Sequence, residues 1–418
     1  MVSDLPAGAL IVTLTDDLAP AVRSINRLSP DSLCFVLPES AKPSVERDLQ
    51  PQITRMPRRW DWIALADTTS FPECYQHVAR SIPGLLRHWG IDPGSLVVDL
   101  TGATPAMAAA LAIVTMPFTS RIVSLAGMVD GRDGESVTSG ESRETWIQTN
   151  PWDEASQTAR REGSELFNAG DYHAAGSVFR HIESRVSGGL KPLYHALADL
   201  AEGYHFWDRL QHRPAWDKLK AASKALEMAA LFGGPPELKD VLPSVKANTG
   251  FLEKLVLDPA EVKEFLALDL LAYCQRRLRM AGDSEIAMRS LVRALEAFSQ
   301  WQLFKRHRIK TWDAQPEQLP AGMQDLCRKS YVSDIDGKFQ LPLTAQWRAL
   351  SELGDPTGQS FNRLWPLMKP MLDAVNHAVL GHGFEGVKSE RVQQLYDLAV
   401  KLTGVQDVSL PKFPVLKL

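Results

Sequence analysis

Three short apolar runs in the first hundred residues, Ala9–Leu14, Ser32–Leu37 and Leu96–Leu100, carry almost no polar alternation. A strand with one face in water alternates apolar and polar side chains, so such runs belong to strands covered on both faces. Helical patterns separate them: Pro20–Leu28, and Cys74–Trp89 ending at Gly90, with Pro105–Thr115 after the third run and a fourth strand-like run at Arg121–Ala126. Strands that alternate with helices imply a mostly parallel sheet with helices on both sides, a Rossmann-like α/β fold. Ligands of such sheets sit beyond the carboxyl ends of the strands. Two of those ends are polar here, Thr15-Asp16-Asp17 and Thr101-Gly102-Ala103-Thr104.

The second of these turns is the more informative. It breaks a buried strand and opens an alanine-rich helix, so it offers backbone N–H groups and hydroxyls to an anion. A phosphate-containing partner follows, with Thr15, Asp16, Thr101, Gly102, Ala103 and Thr104 as the residues expected to meet it. A dinucleotide oxidoreductase does not fit, because no GxGxxG follows the first strand.

After Asn150-Pro151-Trp152-Asp153 the pattern becomes amphipathic and helical to about Leu402, with breaks at Gly233-Gly234-Pro235-Pro236 and Gly354-Asp355-Pro356. Within it, Ala159, Phe167, Tyr172, Ala175 and Phe179 fall at helical spacing over Asp153–Arg185. That spacing resembles one tetratricopeptide-type helix-turn-helix, and a single copy reads as a helical connector. Asp269–Lys305 reads as two long helices split at Ala281-Gly282-Asp283, with most of their arginines solvated or ion-paired. Three regions result: an α/β domain over 1–150, a connector over 151–255 and an all-helical domain over 256–418.

Composition narrows the class. With 418 residues, 44% of them hydrophobic, the chain can bury two or three cores. A net charge of −4, from 46 basic and 50 acidic residues, argues against a broad nucleic-acid footprint and confines any such contact to a groove. Cys34, Cys74, Cys274 and Cys327 stand far apart with no CxxC pair, so neither a disulfide framework nor a cysteine metal site is expected. Residues 1–8 lack a leader pattern and no run reaches the roughly 20 apolar residues of a membrane span. A cytoplasmic protein without membrane contact is the expectation.

The last informative stretch is Asn376-His377-Ala378-Val379-Leu380-Gly381-His382-Gly383-Phe384. Asn376 and His382 are six apart, a little under two helical turns, which predicts one side of a helix that Gly383 would end. An imidazole so placed can exchange a proton with a bound substrate.

Together these segments resemble the CRISPR-associated proteins that join an N-terminal CARF domain to a C-terminal HEPN ribonuclease domain, in the longer branch with a helical insert. Asp99-Leu100-Thr101-Gly102-Ala103-Thr104-Pro105-Ala106-Met107 is similar to the family's D-x-T-G-G-T-K-x-M ligand motif. Gly131-Arg132-Asp133 and Asn150-Pro151-Trp152-Asp153 resemble the motifs that close the CARF domain. Asp269-Leu270-Leu271-Ala272, Arg276-Arg277 and Arg293-Ala294-Leu295-Glu296 resemble the first HEPN helices, and the Asn376 stretch resembles the R-N-x-S-I-L-A-H-G active-site motif.

The resemblance implies a homodimer whose paired CARF domains bind a cyclic oligoadenylate, with cyclic tetra-adenylate the expected ring, and thereby switch on cleavage of single-stranded RNA. It implies no metal or other cofactor, and Asn376 and His382 as catalytic residues. Three departures stand out: Ala103 and Pro105 replace the second glycine and the lysine of the ligand motif, Thr15-Asp16-Asp17 replaces a glycine-rich turn, and Val375 stands where the family has arginine. The last leaves an alternative, a CARF sensor whose HEPN domain does not cut RNA. Arg363 is not an obvious substitute, since Pro366 and Pro370 predict a break between it and Val375.

Overall fold

The computed structural model describes residues 8–91, 94–127, 135–139 and 142–418. It divides into two compact units, one of Met1–Arg160 with Arg180–Tyr194 and one of Arg161–Phe179 with His195–Leu418.

The first unit is built on a seven-stranded sheet in the order β3-β2-β1-β4-β5-β7-β6. The strands are β1 (Ala9–Thr13), β2 (Ser32–Pro38), β3 (Arg59–Leu65), β4 (Leu96–Asp99), β5 (Thr119–Gly127), β6 (Glu135–Ser139) and β7 (Ser142–Thr149). The first five run parallel, while β7 pairs antiparallel with both β5 and β6. Side chains alternate across the sheet as the pleat requires. Ile11, Cys34, Val36 and Val98 pack under α3 (Phe71–Trp89) and α4 (Pro105–Thr115), which contribute Val78, Ile82, Met107 and Leu111. Leu10, Val12, Phe35 and Val97 face the other way, onto Ala21, Ile25 and Leu28 of α1 (Ala19–Leu28) and onto Val45 and Leu49. Val45 and Leu49 belong to a short helical stretch that begins at Glu39 and includes α2 (Lys42–Ser44). The apolar runs at Ala9, Ser32 and Leu96 are therefore apolar on both faces because both faces are roofed, and each fully buried Val, Leu or Ile contributes about 1.5–3 kcal/mol. Gly90 ends α3 in the left-handed conformation at φ 64, as its place after Trp89 predicts.

Three strands lie outside the sequence reading. β3 is an edge strand whose first four residues, Arg59, Trp60, Asp61 and Trp62, are exposed, and β6 and β7 extend the far edge with polar sequence. The motif Gly131-Arg132-Asp133 lies outside the described residues. The motif Asn150-Pro151-Trp152-Asp153 begins α5 (Pro151–Asn168) and works as a staple. Asn150 Nδ2 donates to the Arg185 carbonyl at 2.8 Å, Trp152 Nε1 to the Met116 carbonyl at 2.9 Å, and Asp153 Oδ1 accepts from the Ser187 amide at 2.8 Å.

Helices follow to the end of the chain. They are α6 (Tyr172–Arg185), α7 (Lys191–Asp208), α8 (His212–Leu231), α9 (Leu238–Leu257), α10 (Glu264–Arg276), α11 (Ser284–His307), α12 (Ala321–Ser330), α13 (Leu343–Glu352), α14 (Pro356–His377) and α15 (Ser389–Thr403). The α/β plus all-α reading holds. Breaks fall where glycine and proline place them: α8 ends before Gly233-Gly234, Asp283 caps α11, and Asp355 caps α14 ahead of Pro356. Phe167, Tyr172, Ala175 and Phe179 of the tetratricopeptide-like pair are buried. Leu271, Leu291, Leu295, Trp347, Phe361 and Leu395 belong to one large core shared by α10, α11, α13, α14 and α15.

A second cluster in this unit is aromatic. Phe413 lies 4.5 Å from Tyr204 and 5.0 Å from Trp207 between ring centroids, with the Arg276 guanidinium 4.0 Å from its ring. The segment carrying Phe413 is tied at Asn168, whose amide side chain pairs with both the N–H and the carbonyl of Leu416. Arg276 is of the ion-paired kind: its side chain is 10% exposed and 3.7 Å from Asp208, while none of its guanidinium nitrogens has a hydrogen bond.

The helix break expected at the two prolines is overturned. α14 runs unbroken through Pro366 and Pro370. Both prolines are on its exposed side, where carbonyls that lose an amide partner can turn to water, while Phe361, Trp365 and Met368 hold the other side in the core.

Candidate functional site

β1 and β4 are neighbours, with Val12 paired to Asp99, and the strand order reverses between them. This is the switch point at which an open α/β sheet leaves a crevice. The turn after β4 is organised by Asp99, which is 1% exposed. Its Oδ2 accepts from the Ser24 hydroxyl of α1, and its Oδ1 accepts from the Thr101 amide at 2.8 Å and from the Thr101 hydroxyl. Thr101 Oγ1 in turn accepts from the Leu125 amide at 2.9 Å. Burial is the larger influence on Asp99 and pushes its carboxyl above the usual carboxylate range, against the hydrogen bonds from Ser24 and Thr101 that pull it down.

Gly102 is needed for close approach. A Cβ there would stand 2.6 Å from the Thr13 carbonyl oxygen, and Thr13 Oγ1 already donates to the Asp99 carbonyl at 3.0 Å. Thr104 caps α4, accepting from the Met107 amide at 3.2 Å, and its hydroxyl donates to the Thr68 carbonyl. Both threonine hydroxyls are thus engaged in shaping the turn. Among the described residues neither the Gly102 nor the Thr104 amide has an acceptor. Pro105 at the first helical position removes a further N–H, so the turn presents these two amides together with the half-buried Ala103. On the neighbouring strand end Thr15 is half-buried and Asp16 is exposed, while Asp17 Oδ1 accepts from the Ala19 amide at 2.9 Å and so starts α1. The structure therefore brings the six ligand-turn residues to the ends of two adjacent strands.

In the helical unit α14 stops at His377, not at Gly383. Asn376 and His382 are joined by a turn instead of a shared helix face: the His382 amide donates to the Asn376 carbonyl at 2.9 Å and the Gly381 amide to the Ala378 carbonyl at 2.8 Å. Two glycines permit this. A Cβ at Gly381 would lie 2.3 Å from the Val375 carbonyl oxygen, and one at Gly383 would lie 2.1 Å from that of His377. The Glu285 carboxylate of α11 accepts from the Leu380 amide and holds the loop from outside. Asn376, His377 and His382 lie toward solvent, whereas Val375 is half-buried against the helical core. Arg363 lies twelve residues before Val375 and donates to Ser360 Oγ at 2.9 Å. On a continuous helix that separation is about 18 Å along the axis and about 120° around it, so Arg363 does not take the place of Val375.

Sequence reading singles out the turn but not the residues that hold it. Asp99 has a local signal, an acid that ends a buried apolar run directly before Thr-Gly. Ser24, Thr68 and Glu285 have none, being respectively 75, 36 and 95 residues from the groups they bind.

A mostly parallel sheet with a shaped turn at its switch point, and a helical unit carrying an Asn–His loop between α14 and α15, make up the two units. Residues 156–252 match the family model of the Csm6 6H domain and residues 260–406 that of the Csm6 HEPN domain, together more than half of the chain. The chain belongs to the CRISPR-associated CARF–HEPN family. Its fold is similar to that of Enterococcus italicus Csm6 bound to cyclic hexa-2′-fluoro-hexa-dAMP, with a TM-score of 0.57 at 10% identity over 97% of this chain and 96% of that one. Can2 from Sulfobacillus thermosulfidooxidans in complex with cyclic tetra-adenylate aligns over 53% of this chain and 67% of that one, with 14% identity and a TM-score of 0.25. Comparison with curated proteins gave no match. Among the described residues no helix is long and apolar enough to cross a membrane, and all four cysteines are buried and free.

Proposed function

We propose that this protein is a messenger-gated endoribonuclease of type III CRISPR defence, acting as a homodimer. A cyclic oligoadenylate binds at the Thr15–Asp16 and Thr101–Thr104 turns of two copies, and single-stranded RNA is cut at the Asn376–His382 loop. A ligand with internal two-fold symmetry suits a two-fold interface. The Gly102 and Thr104 amides point the reading toward phosphates, and the ligand of the Enterococcus italicus relative, a cyclic hexanucleotide analogue, makes a six-membered ring the competitor to cyclic tetra-adenylate.

The observation that carries the ribonuclease reading is the closed turn that sets His382 against Asn376 within the HEPN domain. In the proposed step the RNA 2′-oxygen attacks the adjacent phosphorus and the bond to the 5′-oxygen breaks. The 2′-hydroxyl loses a proton and the departing 5′-oxygen gains one, leaving a 2′,3′-cyclic phosphate and a 5′-hydroxyl. His382 supplies one of these proton transfers, and the Asn376 amide donates to a phosphate oxygen.

Val375 supports a second reading, a sensor that binds messenger without cutting RNA, because a valine can neither neutralise nor hydrogen-bond a phosphate. One assay separates the two. Labelled single-stranded RNA is incubated with the protein, with cyclic tetra- or hexa-adenylate, and with a His382→Ala control. Cleavage that requires messenger and is lost in the variant supports the enzyme, and tight messenger binding without cleavage supports the sensor. Absence of calorimetric binding of either ring rules out both.

A further inference from the structure

The first unit contains a cavity at the opposite end of β4 from the Thr101–Thr104 turn. It is a cavity of about 460 Å³ lined by Arg121, Gln148, Asn150, Arg185, Ser187 and Lys191 among others, with Gly94 at its edge. Gly94 precedes β4 whereas Thr101 follows it, so a four-residue strand, about 13 Å, lies between this cavity and the turn. Three cationic side chains converge here, and among the described residues that line the cavity none is acidic.

The lining is fixed by the staple already described. Asn150 Nδ2 holds the Arg185 carbonyl, and Asp153 Oδ1 is engaged by the Ser187 amide, which keeps that carboxylate on the backbone. The Arg185 guanidinium sits 6.0 Å from the Trp152 ring, and its Nη1 is buried with no hydrogen-bond partner. A buried guanidinium N–H without an acceptor is costly unless something supplies one. Burial also lowers the Arg121 and Arg185 guanidinium groups from their ordinary range, the direction expected of cations held partly away from water.

We propose that this cavity is a phosphate-binding site distinct from the messenger turn, with Arg185 and Lys191 as its principal ligands. An Arg fork and a Lys ammonium suit the several acceptor oxygens of one phosphate group. Free phosphate and a phosphodiester of single-stranded RNA share this chemistry, and the test distinguishes them.

Inorganic pyrophosphate is titrated calorimetrically into the full-length protein in chloride buffer, and a fluorescein-labelled 2′-O-methyl oligoribonucleotide, which cannot be cut by 2′-oxygen attack, is followed by anisotropy. Arg185→Gln and Lys191→Gln are compared with the unsubstituted chain. Lys191 is exposed, so its variant folds whether or not Arg185 is needed for packing. A tenfold or greater loss of pyrophosphate affinity in Arg185→Gln, and a roughly fivefold loss in Lys191→Gln, supports a site for free phosphate. The same losses for the oligonucleotide, with a salt slope about 0.7 shallower for each cation removed, support a site for the RNA backbone. If neither ligand loses affinity in Lys191→Gln and in a folded Arg185→Gln, the proposal is wrong. Binding of cyclic tetra-adenylate measured alongside is expected to stay unchanged, and its loss in both variants with pyrophosphate affinity intact overturns a separate site.

Discussion

Gly102→Ala tests whether the Thr101–Thr104 turn is shaped by close approach of two strand ends. The added Cβ would begin 2.6 Å from the Thr13 carbonyl oxygen and 3.2 Å from the Thr13 carbonyl carbon. Ordinary contact needs about 3.4 Å or more, so β1 and the turn must separate by roughly 0.8 Å. The obstacle is backbone in a fully buried strand, which cannot swing aside as a side-chain tip can. The same movement stretches the 3.0 Å bond from Thr13 Oγ1 to the Asp99 carbonyl beyond hydrogen-bond range. Overpacking costs about 1–3 kcal/mol and the lost bond about 1 kcal/mol, so the substitution is expected to destabilise the first unit by about 2–4 kcal/mol. For a unit of this size that is a fall in Tm of roughly 4–16 °C, read by differential scanning calorimetry. Cyclic tetra-adenylate affinity, measured by calorimetry well below the new Tm, should fall at least tenfold, because the Gly102 amide moves with its Cα. A Gly102→Ala variant that melts and binds like the unsubstituted chain would refute the claim that this glycine is required for approach.

Three further outcomes follow from the geometry. Burial raises the Asp99 carboxyl, so between its unfolded value of about 3.9 and its higher folded value the native state holds the extra proton, and unfolding free energy falls as pH rises through that window. Asp99→Asn should remove this slope in urea titrations at successive pH values, whereas Asp99→Ala strands the Ser24 hydroxyl and Thr101 amide and should cost about 2–4 kcal/mol; a slope that survives in Asp99→Asn assigns it elsewhere. Val375→Arg should raise messenger-dependent RNA cleavage in single-turnover assays by roughly 10²–10³, the scale of one charge-stabilising donor, and an unchanged rate would show that the missing cation is not what limits the reaction. Phe413→Ala should lower the stability of the helical unit by about 3 kcal/mol, with Phe413→Leu recovering the packing but not the roughly 0.5–2 kcal/mol of the Arg276 contact; a Phe413→Leu chain as stable as the unsubstituted one would dismiss that contact.

What can be read from the sequence tracks how locally each feature is determined. β1, β2 and β4 are legible because burial on both faces leaves an unbroken apolar run, and α4 because Thr104-Pro105 is a local helix start. β3 is not, since an edge strand with Arg59, Trp60, Asp61 and Trp62 in water has no pattern to distinguish it from a loop. α14 defies the expectation at Pro366 and Pro370 because the rule against proline in helices counts the lost backbone bond and ignores the tertiary packing of Phe361, Trp365 and Met368 that outweighs it. The Asn376–His382 pair is visible in the sequence, yet the cause of its geometry is not. Spacing alone cannot tell a helix face from a turn that Gly381 and Gly383 let the chain make.

The bond between Asn168 and Leu416 spans 248 residues. Closing a loop of that length is entropically expensive and slow, so contacts of this separation form late. A ribosome has already released the whole of α6 to α15 before Leu416 emerges, and until then Phe413 is missing from the ring cluster of Tyr204 and Trp207. During synthesis Arg276 therefore has the Tyr273 ring beside it but lacks that of Phe413, and the helices remain an unfinished assembly. The order of the chain thereby delays completion of the Tyr204–Trp207 ring cluster until α6 to α15 have all been made.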